Sequence, residues 1–355
     1  MKNFFLSIFI LSSFVLNAQT KVIKTNALKS NNYGVEYILP QTQLIIEVEY
    51  SKVTKKSGQY ARYASRYLGL PDDKINFENQ TIYTLDNVHV KDQGIPNKDQ
   101  TYLVEFKAKT TAPFVYLTSD GMICTINAEY TPEEEKETSI ATEKKESFIS
   151  PQSIFTEEYL HAGSIGKMAE VAAKNIYNIR ETRQDILMGE VENMPKDGEA
   201  MRIVLAGLEE QERLWVELFT GTTETKKGKK RIYLDPTMEL SKDILFRFSK
   251  HNGIVDREDL SGVPVFINLI DLKTVEIPEL DPKRKAKEPQ SVVYNVPGKA
   301  QVEIFTADKS IYQGDHEITQ FGTTQILATS IFEDKTNPVK IYFYPNTGGI
   351  KQIIN

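Results

Sequence analysis

From Tyr37 to Tyr130 apolar and polar residues alternate with a period of two. Leu44, Ile46, Val48 and Tyr50 are interleaved with Gln43, Glu47 and Glu49, and Tyr102, Val104 and Phe106 with Glu105 and Lys107. Strands with one buried and one wet face read in this way. Gly94-Ile95-Pro96-Asn97 and Ser119-Asp120-Gly121 carry turn residues and are expected to punctuate a mostly antiparallel sheet. One interruption is helical: Tyr60, Ala64, Tyr67 and Leu68 recur at helical spacing before Pro71 ends the run.

The pattern changes at Thr131. Up to Ser150 the chain is dominated by Glu and Lys and holds scarcely any large apolar residue before Phe148. Such a stretch buries too little surface to offset the entropy of ordering, so it reads as a solvated linker. Two amphipathic helices follow. Ile165, Met168, Ala172, Ile176, Ile179 and Ile186 mark the first, with Glu170 and Lys174 placed to pair on its outer side. Met201, Val204, Leu205, Leu208, Trp215, Leu218 and Phe219 mark the second, with Asp197 as a candidate cap and Gly221 as its stop. The short connection from Gly189 to Lys196 makes them antiparallel neighbours. From Thr222 onward the period returns to two, as in Ile244, Phe246 and Phe248 around Arg247, with a hairpin signal at Asn252-Gly253. Residues 278–290, rich in Lys and Arg, read as an exposed loop.

The first eighteen residues set an expected address. Lys2 precedes an apolar run from Phe4 to Leu16, and Ala18 offers a small residue for cleavage, as in a secretory signal peptide. That run is shorter than the roughly 20 residues a membrane-spanning helix needs. The mature chain is therefore expected in the periplasm, at the outer membrane or outside the cell, with no transmembrane segment. Cys124 is the single cysteine, so neither a lipid anchor at the cleavage site nor an internal disulfide can form, and it reads as a buried strand thiol. Loss of Lys2 takes the formal charge from -6 to -7, which argues against general affinity for nucleic acid.

Candidate chemistry is sparse. Ser164-Ile165-Gly166-Lys167 has the spacing of a serine acyl-enzyme core, but its companion motifs are missing, and a helix start explains it. His89, His161, His251 and His316 are scattered without close metal-ligand spacing, and no metal or cofactor is implied. Carboxylates are too plentiful for any pair to be informative; Glu190, Glu192 and Asp197 around the helix connection are candidates for acid or base work, but helix capping and solvation explain them. The cluster from Lys226 to Arg231 reads as a turn at Gly228 with lysines guarding strand ends. Tyr60, Arg62, Tyr63, Arg66 and Tyr67 interleave aromatics with arginines, a pattern read as a packed helix face.

Several phrases together resemble one family. They are Tyr37–Leu44, Gly58–Gly69, Ile179–Arg183 running into Gly189–Gly198, Asp259–Gly262, Phe321–Thr323 and Tyr344–Gly348. In this order they are similar to exported Bacteroidetes proteins grouped as a domain of unknown function, DUF4831. The resemblance implies no reaction, cofactor or catalytic residue. It directs attention to Arg183, which lies close to the apolar stripe and needs a carboxylate partner, expected within the Glu190–Asp197 connection.

The expected fold is α+β, mostly β: a leader (1–18), an N-terminal antiparallel sheet domain (19–130), a charged linker (131–150), a helical hairpin (151–221) and a C-terminal sheet domain (222–355), both sheet domains sandwich-like. The expected role is non-enzymatic binding or assembly, recognising a protein or an envelope glycan. The alternative is an exported carboxylate-dependent hydrolase acting on glycans or peptides. Binding candidates are Tyr60, Tyr63, Tyr67, Arg180, Arg183, Glu190, Asn193 and Asp197.

Overall fold

The computed structural model describes residues 21–24, 34–105, 115–131, 151–191, 198–276, 291–328, 331 and 338–354. Its strands are β1 (Lys21–Lys24), β2 (Gly34–Lys56), β3 (Gln80–Glu105), β4 (Val115–Leu117), β5 (Ile123–Ile126), β6 (Thr222–Leu234), β7 (Leu240–Ser249), β8 (Gly253–Val255), β9 (Val263–Asp271), β10 (Val293–Phe305), β11 (Ser310–Ile326), β12 (Lys340–Phe343) and β13 (Ile350–Ile354). The helices are α1 (Ala64–Leu68), α2 (Glu157–Leu160), α3 (Ile165–Met188) and α4 (Gly198–Thr220). Three antiparallel sheets run in the orders β1-β3-β2-β6, β11-β10-β9-β7-β8 and β13-β12-β5-β4. Helices α3 and α4 form a hairpin-like pair, so the fold is α+β with strands predominating. Among the described residues no helix is long and apolar enough to cross a membrane.

The organising element is the ribbon of β2 and β3, 23 and 26 residues long. At about 3.4 Å per residue β2 alone has some 75 Å of contour, long enough to serve several cores in turn. Register shifts between Ile38 and Pro40 and between Glu49 and Tyr50 divide it into three stretches. Pro40 faces Pro96 across the first shift; neither has an N–H to give to a ladder, so the break in pairing falls where it costs least. The first stretch places Tyr37, Leu39, Tyr102 and Val104 against Ile123, Val293, Ile341 and Phe343. The second places Leu44, Ile46, Val48 and Val88 against Leu245, Val265, Leu269, Val302 and Ile304, one sheet packed on another. Beyond the third the chain enters a helical core of Tyr60, Ala64, Tyr159, Ala172, Ile176, Trp215 and Phe219. A fully buried large apolar side chain contributes roughly 1.5–3 kcal/mol, so burial alone can hold these cores without a disulfide. Cys124 is buried in β5, where burial pushes its thiol up to about 11.

Polar contacts fix the joints between cores. The Tyr37 hydroxyl donates to the Val293 carbonyl (3.2 Å) and accepts from the Val293 N–H (2.9 Å), tying β2 to β10. Asn295 Nδ2 donates to the carbonyls of Pro40 (2.8 Å) and Thr347 (2.7 Å), seating the Tyr344–Gly348 turn on the Pro40 bend. A Cβ on Gly94 would lie 2.6 Å from the Pro345 carbonyl oxygen, so this contact requires a bare backbone. Where the ribbon meets the helices, Tyr60 N–H donates to Leu218 O (2.7 Å) and Asn76 N–H to Thr220 O (2.8 Å). Gly221 ends α4 at φ +75°, with room for no Cβ beside the Lys56 carbonyl (2.0 Å). Several of the phrases shared with the resembled family thus occupy joints.

Some expectations change. Gly94–Asn97 is not a turn but lies within β3, and Gly228 is not a hairpin tip but sits mid-strand in β6 opposite Tyr50, whose ring covers it. Glycine and proline mark bulges and close approaches as well as reversals, and here they serve the former. Glu170 pairs with Lys167 (2.9 Å), and Lys174 with Glu158 (3.4 Å), rather than with each other. Strand β6 pairs with β2, and β12 with β5, so segments from both ends of the chain share sheets. The leader, Phe106, the charged stretch 132–150, residues 277–290 and Asp197 lie outside the described residues.

Replacing Gly221 by Ala should destabilise the protein by more than about 2 kcal/mol, because a left-handed backbone and a blocked Cβ site act together. Urea unfolding of the variant beside Gly69→Ala, which has a positive φ but open space, would separate the two effects.

Candidate functional site

The helical layer brings together most of the described candidate residues. Helix α3 begins at Ser164, whose hydroxyl accepts the Lys167 N–H (3.2 Å), confirming the plain helix start, and ends at Gly189 in a left-handed cap. Its face towards the core carries Ala169, Ala172 and Ile176. Tyr60 is fully buried, its hydroxyl 2.5 Å from that of Tyr159, and burial holds its phenol well above the ordinary range. It is a core residue rather than a binding one. Tyr63 and Tyr67 are half-buried and stacked, with ring centroids 6.1 Å apart.

From Tyr67 a continuous stripe crosses to α3 and α4. The Arg66 guanidinium lies 5.4 Å from the Tyr67 ring, and the Tyr177 hydroxyl donates to the Tyr67 carbonyl (2.9 Å). The Arg180 guanidinium lies 5.7 Å from the Tyr177 ring. Arg180 Nε then donates to Glu212 Oε1 (2.6 Å), while Arg183 Nη1 takes Glu212 Oε2 (2.8 Å). One carboxylate on α4 therefore holds two guanidiniums on α3. Glu212 is 13% exposed, whereas Arg180 and Arg183 are 41% and 37% exposed, so the arginines are anchored yet still presented to solvent.

Among the described residues the partner of Arg183 is Glu212 on α4, where a carboxylate of the Glu190–Asp197 connection is expected from the sequence. Glu190 is exposed beyond the α3 cap, its N–H donating to Asp185 O (2.9 Å). Glu192, Asn193 and Asp197 lie outside the described residues. Sequence reasoning missed Tyr177 and Glu212. Glu212 had a signal, because it stands between Leu208 and Trp215 at helical spacing, a charged residue on an apolar stripe.

Two other polar groupings lie on the sheets. On the outer face of the first sheet Arg231 and Lys91 flank Glu47 (2.8 and 3.9 Å), and Lys229 pairs with Glu49 (2.8 Å). A cleft of about 230 Å³ beside them is lined by Glu49, Tyr50, Ser51, Asp86, Lys227 and Gly228. The Lys229 hydrogen bond outweighs burial and holds Glu49 below the ordinary carboxylate range, the reverse of what a general acid requires. Elsewhere His316, 8% exposed on β11, reaches Asp92 of β3 through Nδ1 and the Tyr312 hydroxyl through Nε2 (2.8 Å). Both ring nitrogens are thus occupied, and burial, with the Asp92 charge, pushes the Tyr312 phenol up. This clasp joins two sheets. Among the described residues no group of three metal-binding side chains is assembled.

Glu212→Gln should cost about 1–2 kcal/mol, discounted because both arginines are partly hydrated, and Glu190→Gln close to nothing; chemical denaturation of the pair checks this. At Glu47 burial raises the carboxyl's proton affinity, but the Arg231 hydrogen bond and the charges of Lys91, Arg231 and Lys229 outweigh it and lower the value from an ordinary 4.5. A depressed folded-state value stabilises above the unfolded value and loses that contribution as pH falls. The stability difference between the parent and Glu47→Gln should therefore shrink between roughly pH 5 and pH 3, as read by urea unfolding across that range.

A family model described as Domain of unknown function (DUF4831) matches residues 33–351. No curated protein and no solved structure matches the chain.

Proposed function

The chain belongs to the DUF4831 family, and from its own geometry we propose that it is an exported cell-envelope protein that recognises a protein or an envelope glycan through the helical stripe. The observation that carries this reading is the doubly used carboxylate of Glu212. It fixes Arg180 and Arg183 in place before any partner arrives, and Tyr177, 49% exposed, stands beside them. Tyrosine and arginine supply large, directional contacts, and a surface ordered in advance loses less entropy on binding than one that must be ordered. The apolar leader of residues 1–18 supports the address.

The test is a photo-crosslinking amino acid placed at position 177 in the native cell. A discrete adduct should form there, should be absent from a control probe at exposed Lys230 on β6, and should disappear in Arg180→Ala/Arg183→Ala. Equal labelling at both positions, or no adduct at 177, would overturn the proposal. Fractionation with N-terminal sequencing checks the address: the product should begin after Ala18 in an envelope fraction.

A further inference from the structure

We infer that the occupant of the stripe is an acidic amphipathic peptide segment of a partner protein rather than a glycan; this rests on the recognition role proposed above. The stripe does not end at Arg183. Tyr177, Arg180, Gln184, Leu187 and Met188 follow one another at helical spacing along α3, and Leu187 and Met188 are 62% and 60% exposed. An aromatic and cationic surface therefore runs directly into an apolar one on the same helix.

Charge sets the first requirement. Arg66, Arg180 and Arg183 stand along the stripe with Glu212 as the carboxylate bridging two of them. Glu170, which feels Arg66, is already bonded by Lys167. The arginines line one edge of the stripe, whereas exposed Glu181, one turn on from Tyr177, and Asp185, roughly 100° and 140° around the helix axis from Arg180, border the other edge beside Met188. A complementary ligand brings carboxylates to the arginine edge, where paired donors bind them. Apolarity sets the second. Leu187 and Met188 gain only by covering hydrocarbon, which an acidic peptide with apolar residues at three- and four-residue spacing supplies and an acidic sugar chain does not. Methionine suits such a contact because its unbranched, polarisable side chain adapts to varied apolar partners.

The experiment selects a displayed library of random 16-residue peptides on the full chain, with acidic uronate oligosaccharides assayed in parallel. Enriched peptides should combine Asp or Glu with Leu, Ile or Phe at helical spacing. Their affinity should fall by roughly tenfold or more in Arg180→Ala/Arg183→Ala and in Leu187→Ser/Met188→Ser. Thermal melts confirm that each variant remains folded, and Arg180→Lys/Arg183→Lys serves if the alanine pair does not. Enriched peptides without acidic residues, peptides indifferent to these changes, or no enrichment would overturn the inference. Uronate binding that depends on Arg180 and Arg183, without peptide binding, would overturn the ligand class and leave the recognition role standing. Indifference of both ligands to the stripe, together with no adduct at position 177, would remove both.

Discussion

The structure depends on one backbone constraint: a single antiparallel ribbon has to serve two hydrophobic cores in succession and then lead the chain into a third that its own strands do not line. A flat ladder of this length cannot present its apolar side chains to two differently placed partners. The register shift at Pro40 resolves the conflict by re-aiming the strands where one core ends and the next begins, and the shift at Glu49 falls near the end of the second. Tyr37, Asn295 and Thr42 act at the first of these places. Thr42 N–H donates to Thr319 Oγ1 (3.0 Å), and Gln320 Nε2 donates to the Thr42 carbonyl (2.7 Å), so β11 is tied to the ribbon just past its bend. The joint at Pro40 combines a bare backbone at Gly94 with a side-chain hydrogen bond from Asn295, which fixes direction more tightly than apolar contact alone.

The helical layer differs in how its polar groups are used. On the sheet face Glu47 and Glu49 each meet cations across neighbouring strands, and those charges are absorbed locally. On α3 and α4 two cations converge on one anion, leaving charge directed outward. Burial on the helices is concentrated near the ribbon, at Ala169 to Ile176 and at Leu214 to Phe219, while Ile203 and Val204 near the start of α4 remain exposed. The base of the hairpin is anchored by packing, and its outer half presents surface.

How much of this was legible depended on whether the signal was local. Alternation in Leu44–Tyr50 and helical spacing in Ile165–Ile186 reveal their elements because the pattern reports one side of one element. The strand pairing of Thr222–Leu234 with Leu44–Lys56 was not legible, because no periodicity states which strand lies next to which. Glycine and proline misled at Gly94–Asn97 and Gly228 because the same residues serve turns, bulges and close packing. The Asp92–His316–Tyr312 clasp joins residues 224 apart in sequence and left no trace in spacing. Arg183 was recognised as needing a carboxylate, and the choice of Glu212 required knowing how α3 and α4 face each other.

The tie between Tyr37 and Val293 spans 256 residues. During synthesis at 5–20 residues per second the tyrosine emerges about 13–50 s before its partner. Throughout that interval the first stretch of the ribbon lacks much of its core and offers an uncovered apolar face. A chain with this wiring is ill-suited to completing itself in the order it is made. Its first core can close only after the last strands have been made, so the earliest stretch of the ribbon waits longest for its partners.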